Sequence, residues 1–446
     1  MKFASVIIGI MLSVLLFAQQ PGNEWINYSQ KYFKFPVSND GIYRVDRTAL
    51  INAGFPIDNI NPENLQLFNK GKEVPIYLSM GQFGILNYLE FYGEKNNGWL
   101  DTVLFDNLNY HLNKNYSMIN DTSFYFITWN SSVNNLRYSL ETDVNFNGYN
   151  PAPYCIRTVR YDYTTAFYSP EESPFFSAAE GWFHPAIDLS NPILSKIISA
   201  PFAYSNGPDA SLTFGVAAIS NASFQGSSNH HFRVQFLDVD FDTSFIGRTI
   251  IRKVFSGIPS VSIATDNIFK LSIIDNLGVA SDMNALSFVE IVYPHTFNFE
   301  NTSFFNFRIP AGNGSKTYLQ ISNFNAGSST PVLYDLTNKK RITVVYESGF
   351  YHALIPDDMM ERNCILVAGA ESVSSTVIKP VSSSHYFTNY IVDYKNSDYI
   401  IVTHPSLMSV GEQYKIYRNS TGYNAMLANV DELYDQFAYG IPKHPL

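Results

Sequence analysis

Two cysteines in 446 residues, Cys155 and Cys364, are too few for a disulfide framework and too far apart for a CxxC-type zinc cluster. They fall in segments assigned below to different β units, which argues against a bridge between them, so stability must come from packing. Charge is scarce as well. Asp, Glu, Lys and Arg make up 15% of the chain, acids outnumber bases by 39 to 29, and no basic run reaches five residues. This argues against a nucleic-acid partner, because neutralising phosphates takes clustered Lys and Arg. No apolar run beyond the N-terminus approaches the ~18 residues of a spanning helix. Gly-x-Ser-x-Gly, His-Glu-x-x-His and phosphate-binding glycine loops are all missing.

Aromatic residues are as common as charged ones, at 15%, with 30 Tyr and 35 Phe. Together with abundant Asn, Ser and Thr, this is the composition of an exported β-rich protein. The first residues agree. Lys2 is a short basic region, Phe3 to Phe17 an apolar core, and Ala18 or Gln19 the end of a cleaved piece, which makes 1–18 a signal peptide. No cysteine follows the apolar core to carry a lipid. The mature chain is expected beyond the inner membrane, from periplasm to cell surface or extracellular.

The remaining length suits about three domains of roughly 150 residues. Residues 19–150 read as a β-rich N-terminal domain. There Tyr32–Val37 and Gly41–Val45 flank Asn39-Asp40-Gly41, a hairpin signal, and Asp46 is placed to cap a short helix carrying Leu50 and Ile51 and closed by Gly54. Residues 151–300 show the clearest period-2 alternation and read as a jelly-roll-like β-sandwich. Phe269, Leu271 and Ile273 share one face, as do Val289, Ile291 and Tyr293. Phe232, Val234 and Phe236 also share a face, but Leu237, Val239 and Phe241 have the opposite parity, which predicts a β-bulge near Phe236 or a bend between sheets. Residues 301–390 hold five short strands and read as a small β-sandwich.

The last stretch, 391–446, changes character. Tyr399 to Val402 is a buried-type strand running into Pro405. Leu407, Val410, Tyr414 and Tyr417 then recur at helical spacing until Gly422. A second strand, Ala425 to Val430, leads to Asp431 as the expected N-cap of a short helix with Leu433 and Phe437 on one face. This βαβα pattern calls for a parallel sheet buried on both sides. Two strands cannot supply one, so the segment reads as the truncated start of an α/β domain.

Few residues offer chemistry. Asp238, Asp240 and Asp242 alternate on a predicted strand and would share one face, which makes them the calcium candidates if a loop completes the site; a solvated outer face is the competing reading. His404 follows the first parallel strand, where open α/β sheets place functional groups, but no acid, nucleophile or glycine loop stands beside it. Cys364 lies among strand-core residues and reads as an inert buried thiol. Cys155 has no evident His partner, and His230-His231 lacks a third metal ligand.

From Asp398-Tyr-Ile-Ile-Val-Thr-His-Pro405 through Leu433-Tyr-Asp-Gln-Phe437 to Gly440-Ile-Pro442 the chain resembles the start of the gingipain-type cysteine peptidase domain. Upstream, Asn39-Asp-Gly-Ile-Tyr-Arg44, Pro331-Val-Leu-Tyr-Asp-Leu-Thr337 and Phe387 to Tyr390 resemble the leader region of the family's PorU-like branch, the sortases of type IX secretion. The resemblance implies a mainly β chain of consecutive sandwich-like domains followed by the start of a caspase-like α/β peptidase domain. It also implies protein substrates, partners among outer-membrane secretion-system or surface proteins, and no cofactor. In that family a Cys thiolate attacks a peptide carbonyl and a His moves the proton. The family's catalytic His, usually followed by Gly, and its Cys lie beyond the part present here. This sequence has no His-Gly pair and no cysteine after Cys364, so no catalytic residue carries over. Peptide-bond hydrolysis or transpeptidation is expected only of the full-length protein. The alternatives are a non-enzymatic surface scaffold or adhesion module, and an inactive paralogue of the sortase.

Overall fold

The computed structural model describes residues 22–169, 173, 175–221, 228–312, 314–356 and 358–445; the signal peptide read at 1–18 lies outside them. The described chain is mainly β, in several sheets, with one short α/β stretch near its C-terminal end.

The N-terminal module is built from two sheets. One holds Phe33–Val37, Ser123–Trp129, Leu65–Asn69 and Lys72–Val74, the other Gly41–Asp46, Leu86–Gly93 and Tyr77–Met80. Phe35, Val45, Leu67, Leu89, Phe91 and Ile127 fill the space between them. The hairpin expected around Asn39-Asp40-Gly41 does not form. Phe33–Val37 pairs with Ser123–Trp129 while Gly41–Asp46 pairs with Leu86–Gly93, so the turn is a corner between sheets. Both strands carry buried alternate residues, and facing each other across a core buries those side chains where a flat hairpin would expose one row. The helix after Asp46 is present at Arg47–Asn52, with Leu50 buried and Gly54 at φ +79° beyond it. Two later strands, Glu371–Ser372 and Lys379–Pro380, return to close both sheets of this module.

A nine-stranded sheet forms the centre, in the order Thr249–Ile258, Ala210–Ala218, Asn284–His295, Cys155–Asp162, Phe304–Ile309, Arg362–Val367, Val332–Asp335, Lys340–Ile342 and Ser139–Glu141. Its first half is covered by a four-stranded sheet of Ile193–Ser199, Asp266–Ile273, His230–Phe236 and Val239–Phe245, with Phe214, Phe232, Val234, Phe269, Leu271 and Ile291 buried between. Its second half is covered by Asn298–Thr302, Thr317–Phe324, Phe350–Ile355 and Val345–Glu347 over a core that includes Phe299, Phe305, Leu319 and Leu366. One registered pair, Arg308 with Ile156, joins the halves, so hydrogen bonding runs continuously past residue 300. The parity change after Phe236 has a different cause from a bulge. Phe236 pairs directly with Val239, and Leu237, at φ +47°, opens a two-residue hairpin turn that reverses the chain.

Near the C-terminal end, Tyr399–Thr403 and Ala425–Asn429 pair in parallel, connected by helix Met408–Ser420 and followed by helix Val430–Phe437. The first helix meets the sheet through Gly411, where a Cβ would lie 2.9 Å from Leu427 and 3.2 Å from Thr403. The apolar row Leu407, Val410, Tyr414 and Tyr417 faces outward and is exposed, as are Ile400 and Val402 on the first strand. Close backbone approach at glycine selects the inner face here, against the apolar periodicity.

Candidate functional site: the α/β segment and its seat

Helix Val430–Phe437 begins at Asn429, whose side-chain oxygen accepts from Asp431 N at 3.0 Å; the cap expected at Asp431 is displaced by two residues. Its buried face is polar. Glu432, Asp435 and Gln436 are all buried, whereas Leu433 and Phe437 are only partly so. Polar side chains tolerate such burial only when every one finds a partner, and here they do. Asp435 accepts from Lys34 Nζ at 2.7 and 2.6 Å through its two oxygens. Glu432 accepts from Thr388 N at 2.6 Å and from the Tyr390 hydroxyl at 3.3 Å. Gln436 donates to the Thr388 carbonyl at 2.9 Å and accepts from the Tyr28 hydroxyl at 3.3 Å and Asn23 Nδ2 at 3.4 Å. Lys34 stands on strand Phe33–Val37, so the helix is fixed to the first sheet of the N-terminal module.

The residues after the helix continue the seat. Tyr439 packs on Trp99 with centroids 5.2 Å apart, and Asn120 Nδ2 donates to the Pro442 carbonyl at 3.1 Å. His444 Nε2 lies 3.5 Å from Asp101 Oδ1, both side chains fully buried. The other oxygen of Asp101 accepts from Ser117 Oγ and Met118 N. Burial pushes the Asp435 carboxyl up to about 6, with Lys34 pulling in the opposite direction. Burial and the neighbouring Glu432 likewise raise the Tyr390 hydroxyl, keeping it a donor.

The residues singled out from sequence are not brought together. His404 follows the first parallel strand as expected, but it caps the turn Pro405–Leu407, its Nδ1 accepting from Ser406 N at 3.3 Å with Ser406 Oγ 2.8 Å away. Asp238 sits in the hairpin turn, Asp240 is paired with Arg233, and Asp242 is bonded to His231 Nε2 at 2.8 Å. The turn thus takes Asp238 off the strand that was to align all three. Among the described residues no group of three or more His, Cys, Asp or Glu is placed to hold a metal. His230 is buried against Asp282 at 2.7 Å and the Ser220 carbonyl at 2.9 Å. Cys155 and Cys364 are free thiols, but they share one core, which removes the separation in different units inferred from their positions. Burial pushes Cys155 up to about 12 and Cys364 well above the ordinary thiol value, and the nearest partner of Cys155 Sγ is the His295 carbonyl at 3.5 Å. Neither is poised as a nucleophile.

Residues 393–444 match the model of peptidase family C25, the gingipain family. This segment is similar to that family. The C25 segment thus coincides with the parallel strand pair, both helices and the seated tail. Over 93% of its length the chain also superposes on the crystal structure of dimeric latent PorU from Porphyromonas gingivalis, with a TM-score of 0.56 and 14% identity. The fold is PorU-like, and the chain spans 38% of the PorU chain it matches. Two carbohydrate-binding modules match over about a third of the chain. One is TmCBM61 in complex with beta-1,4-galactotriose (10% identity, 33% of this chain, 92% of that one, TM-score 0.18). The other is a family 35 module from Clostridium thermocellum (11%, 32%, 97%, 0.16). TM-scores that low carry no argument. No curated protein matches the chain.

The seat of the C25 segment leaves no space at Gly440. This residue has φ +86°, and a Cβ there would lie 2.5 Å from Phe124 Cβ and 3.1 Å from the Phe126 ring. Gly440→Ala is expected to destabilise the seat by about 1–3 kcal/mol through strain and overpacking. Hydrogen exchange of amides 430–445 should rise while that of the central sandwich stays unchanged.

Proposed function

We propose that the chain is the non-catalytic N-terminal region of an exported, PorU-like cysteine peptidase linked to type IX protein secretion, and that it seats the first α/β unit of the peptidase domain. The observation that carries this reading is the C25 match falling on a segment whose polar helix face is fully partnered, Asp435 by Lys34 of the N-terminal module and Glu432 and Gln436 by Thr388 just ahead of the α/β unit. A seat of this kind holds the parallel strands in one orientation, and the chemistry of an α/β domain is placed at its strand ends. The exposed Ile400 and Val402, on one face of a two-stranded parallel sheet, are the surface that further α/β elements would cover. Cys155 and Cys364 are desolvated core thiols, so the thiolate that attacks the peptide carbonyl comes from outside this sequence. The protein works between periplasm and cell surface, on protein substrates and beside outer-membrane secretion or surface proteins.

Reading the gene beyond the codon for Leu446 and assaying the complete product on peptide substrates tests the proposal. A His-Gly followed by a later Cys is expected, with activity lost on alkylation and on replacing that Cys by Ala. An open frame lacking both residues assigns an inactive paralogue. A stop codon directly after Leu446 overturns the peptidase reading in favour of a surface scaffold.

A further inference from the structure

Where the outer face of the N-terminal module meets the nine-stranded sheet, Ile42, Tyr77 and Tyr92 pack against Tyr334, Ile365 and Val367. Beside this junction lies a cavity of about 440 Å³ with Arg44, Tyr88 and Glu90 on one wall and Tyr334 and Arg341 on the other. Glu90 is 3% exposed and directly opposite Arg44 in the antiparallel strand pair. Its Oε1 accepts from Arg44 Nε and Nη2 at 3.0 and 2.5 Å, and its Oε2 accepts from the Tyr334 hydroxyl at 2.8 Å. Arg341 Nε donates to the Tyr334 hydroxyl at 3.2 Å and lies 3.5 Å from Glu90 Oε2. Each guanidinium is backed by a ring, Arg44 at 4.0 Å over Tyr88 and Arg341 at 4.3 Å over Tyr77.

Two guanidiniums therefore share one carboxylate. Burial and Glu90 raise the Tyr334 hydroxyl, which stays a neutral donor and does not balance the second cation. Asp46, the other acid acting on Arg44, is exposed and outside the lining. The cavity wall thus carries one net positive charge, two arginines less Glu90, in a partly desolvated position where an unbalanced cation is costly. The Nη1 and Nη2 groups of Arg341 have no hydrogen-bond partner among the described residues, although the ring of Tyr77 holds the guanidinium in place. A fixed, planar guanidinium edge matches a carboxylate better than it matches a neutral group. The rest of the lining includes the exposed, hydroxyl-bearing Ser329 and Thr330 and the small run Ala368 to Ala370, where a Cβ on Gly369 would meet nothing within 4 Å. The volume falls within the roughly 300–1,000 Å³ of small-molecule sites.

We propose that this cavity binds a carboxylate group, with Arg341 meeting it edge-on and Ser329 and Thr330 bonding the atoms next to it. The carboxylate belongs either to a free small acid or to the end of a polypeptide, and the site is independent of the peptidase reading. Calorimetric titration of the intact chain with glutarate against glutaramide, and with triglycine against triglycine amide, separates the two sources. At least one acid is expected to bind at least about tenfold more tightly than its amide, a difference of about 1.4 kcal/mol. Arg341→Gln should remove that preference. Ser329→Trp, which fills the rim without touching the Glu90 network, should abolish binding in a chain whose thermal unfolding is unchanged, so the test stands even if the arginine variant misfolds. Absence of binding by both acids at millimolar concentration, equal binding of acid and amide, or binding that survives Ser329→Trp overturns the proposal.

Discussion

Lys34→Met is expected to lower stability by about 3–5 kcal/mol at pH 7, the cost of leaving a buried carboxylate without its counter-ion. The partner, Asp435, is 2% exposed and accepts both of its short bonds from Lys34. The loss should shrink on acidification. Burial holds the folded-state Asp435 at about 6, above its ordinary 3.8, so between these values the native chain keeps a proton that the unfolded chain has released. The stabilisation from that proton is complete below 3.8 and is lost as the pH rises through 6. Removing Lys34 raises the folded value further, so acid relieves the variant over a wider range than the wild type. Denaturation at pH 5 and pH 7, with hydrogen exchange of residues 430–437, gives the two differences. Equal losses at both pH values would mean that the charge on Asp435 is not the cause. Adding Asp435→Leu to Lys34→Met should recover most of the stability at pH 7, since the buried charge is then gone with its partner.

The same helix shows where sequence reading stops. Period-2 alternation located the sandwich strands, and Phe232, Val234, Phe236, Phe269, Leu271 and Ile273 are all buried. Those positions obey a local rule, because one face of each strand meets a core whatever the topology. The βαβα order of the C25 segment was legible for a similar reason, from strand and helix periods and the residues that end them. The face by which it docks was not. Glu432, Asp435 and Gln436 have the i, i+3, i+4 spacing of a single helix face, but polar residues at that spacing are ordinarily solvent-facing, and partners remote in sequence, Asn23, Tyr28, Lys34, Thr388 and Tyr390, make their burial favourable. The Asn39-Asp40-Gly41 turn departs from expectation for the same reason: the local residues permit a hairpin, and long-range pairing with Ser123–Trp129 and Leu86–Gly93 decides against it. Of the calcium candidates, only Asp240 and Asp242 remain on one strand, because the parity change after Phe236 signals a chain reversal and not a bulge.

Phe214→Ala should cost the central sandwich about 3–5 kcal/mol, the usual loss for removing a fully buried ring. Phe214 stands on strand Ala210–Ala218 of the nine-stranded sheet, with its ring centroid 5.7 Å from Phe269 and 6.0 Å from Phe241 on the covering sheet, and 6.1 Å from Phe255 on the neighbouring strand. It therefore ties the two layers together. Ile268→Ala, on the outer face of the covering sheet and 64% exposed, should change stability by less than about 0.5 kcal/mol. How far the Phe214 loss spreads depends on the sheet. Strands Ala210–Ala218, Asn284–His295 and Cys155–Asp162 are joined by long registers, whereas Cys155–Asp162 meets Phe304–Ile309 at the single pair Ile156 and Arg308. Cooperative opening follows dense pairing and stops where pairing thins. Hydrogen exchange in Phe214→Ala should therefore accelerate in Cys155–Asp162, Ala210–Ala218, Thr249–Ile258, Asn284–His295 and the strands of the covering sheet, and leave Phe304–Ile309 and Arg362–Val367 protected, because their own core of Phe299, Phe305, Leu319 and Leu366 is intact. Equal acceleration in both halves would instead make the nine-stranded sheet one cooperative unit, with the junction at Arg308 stronger than its one pair of residues accounts for.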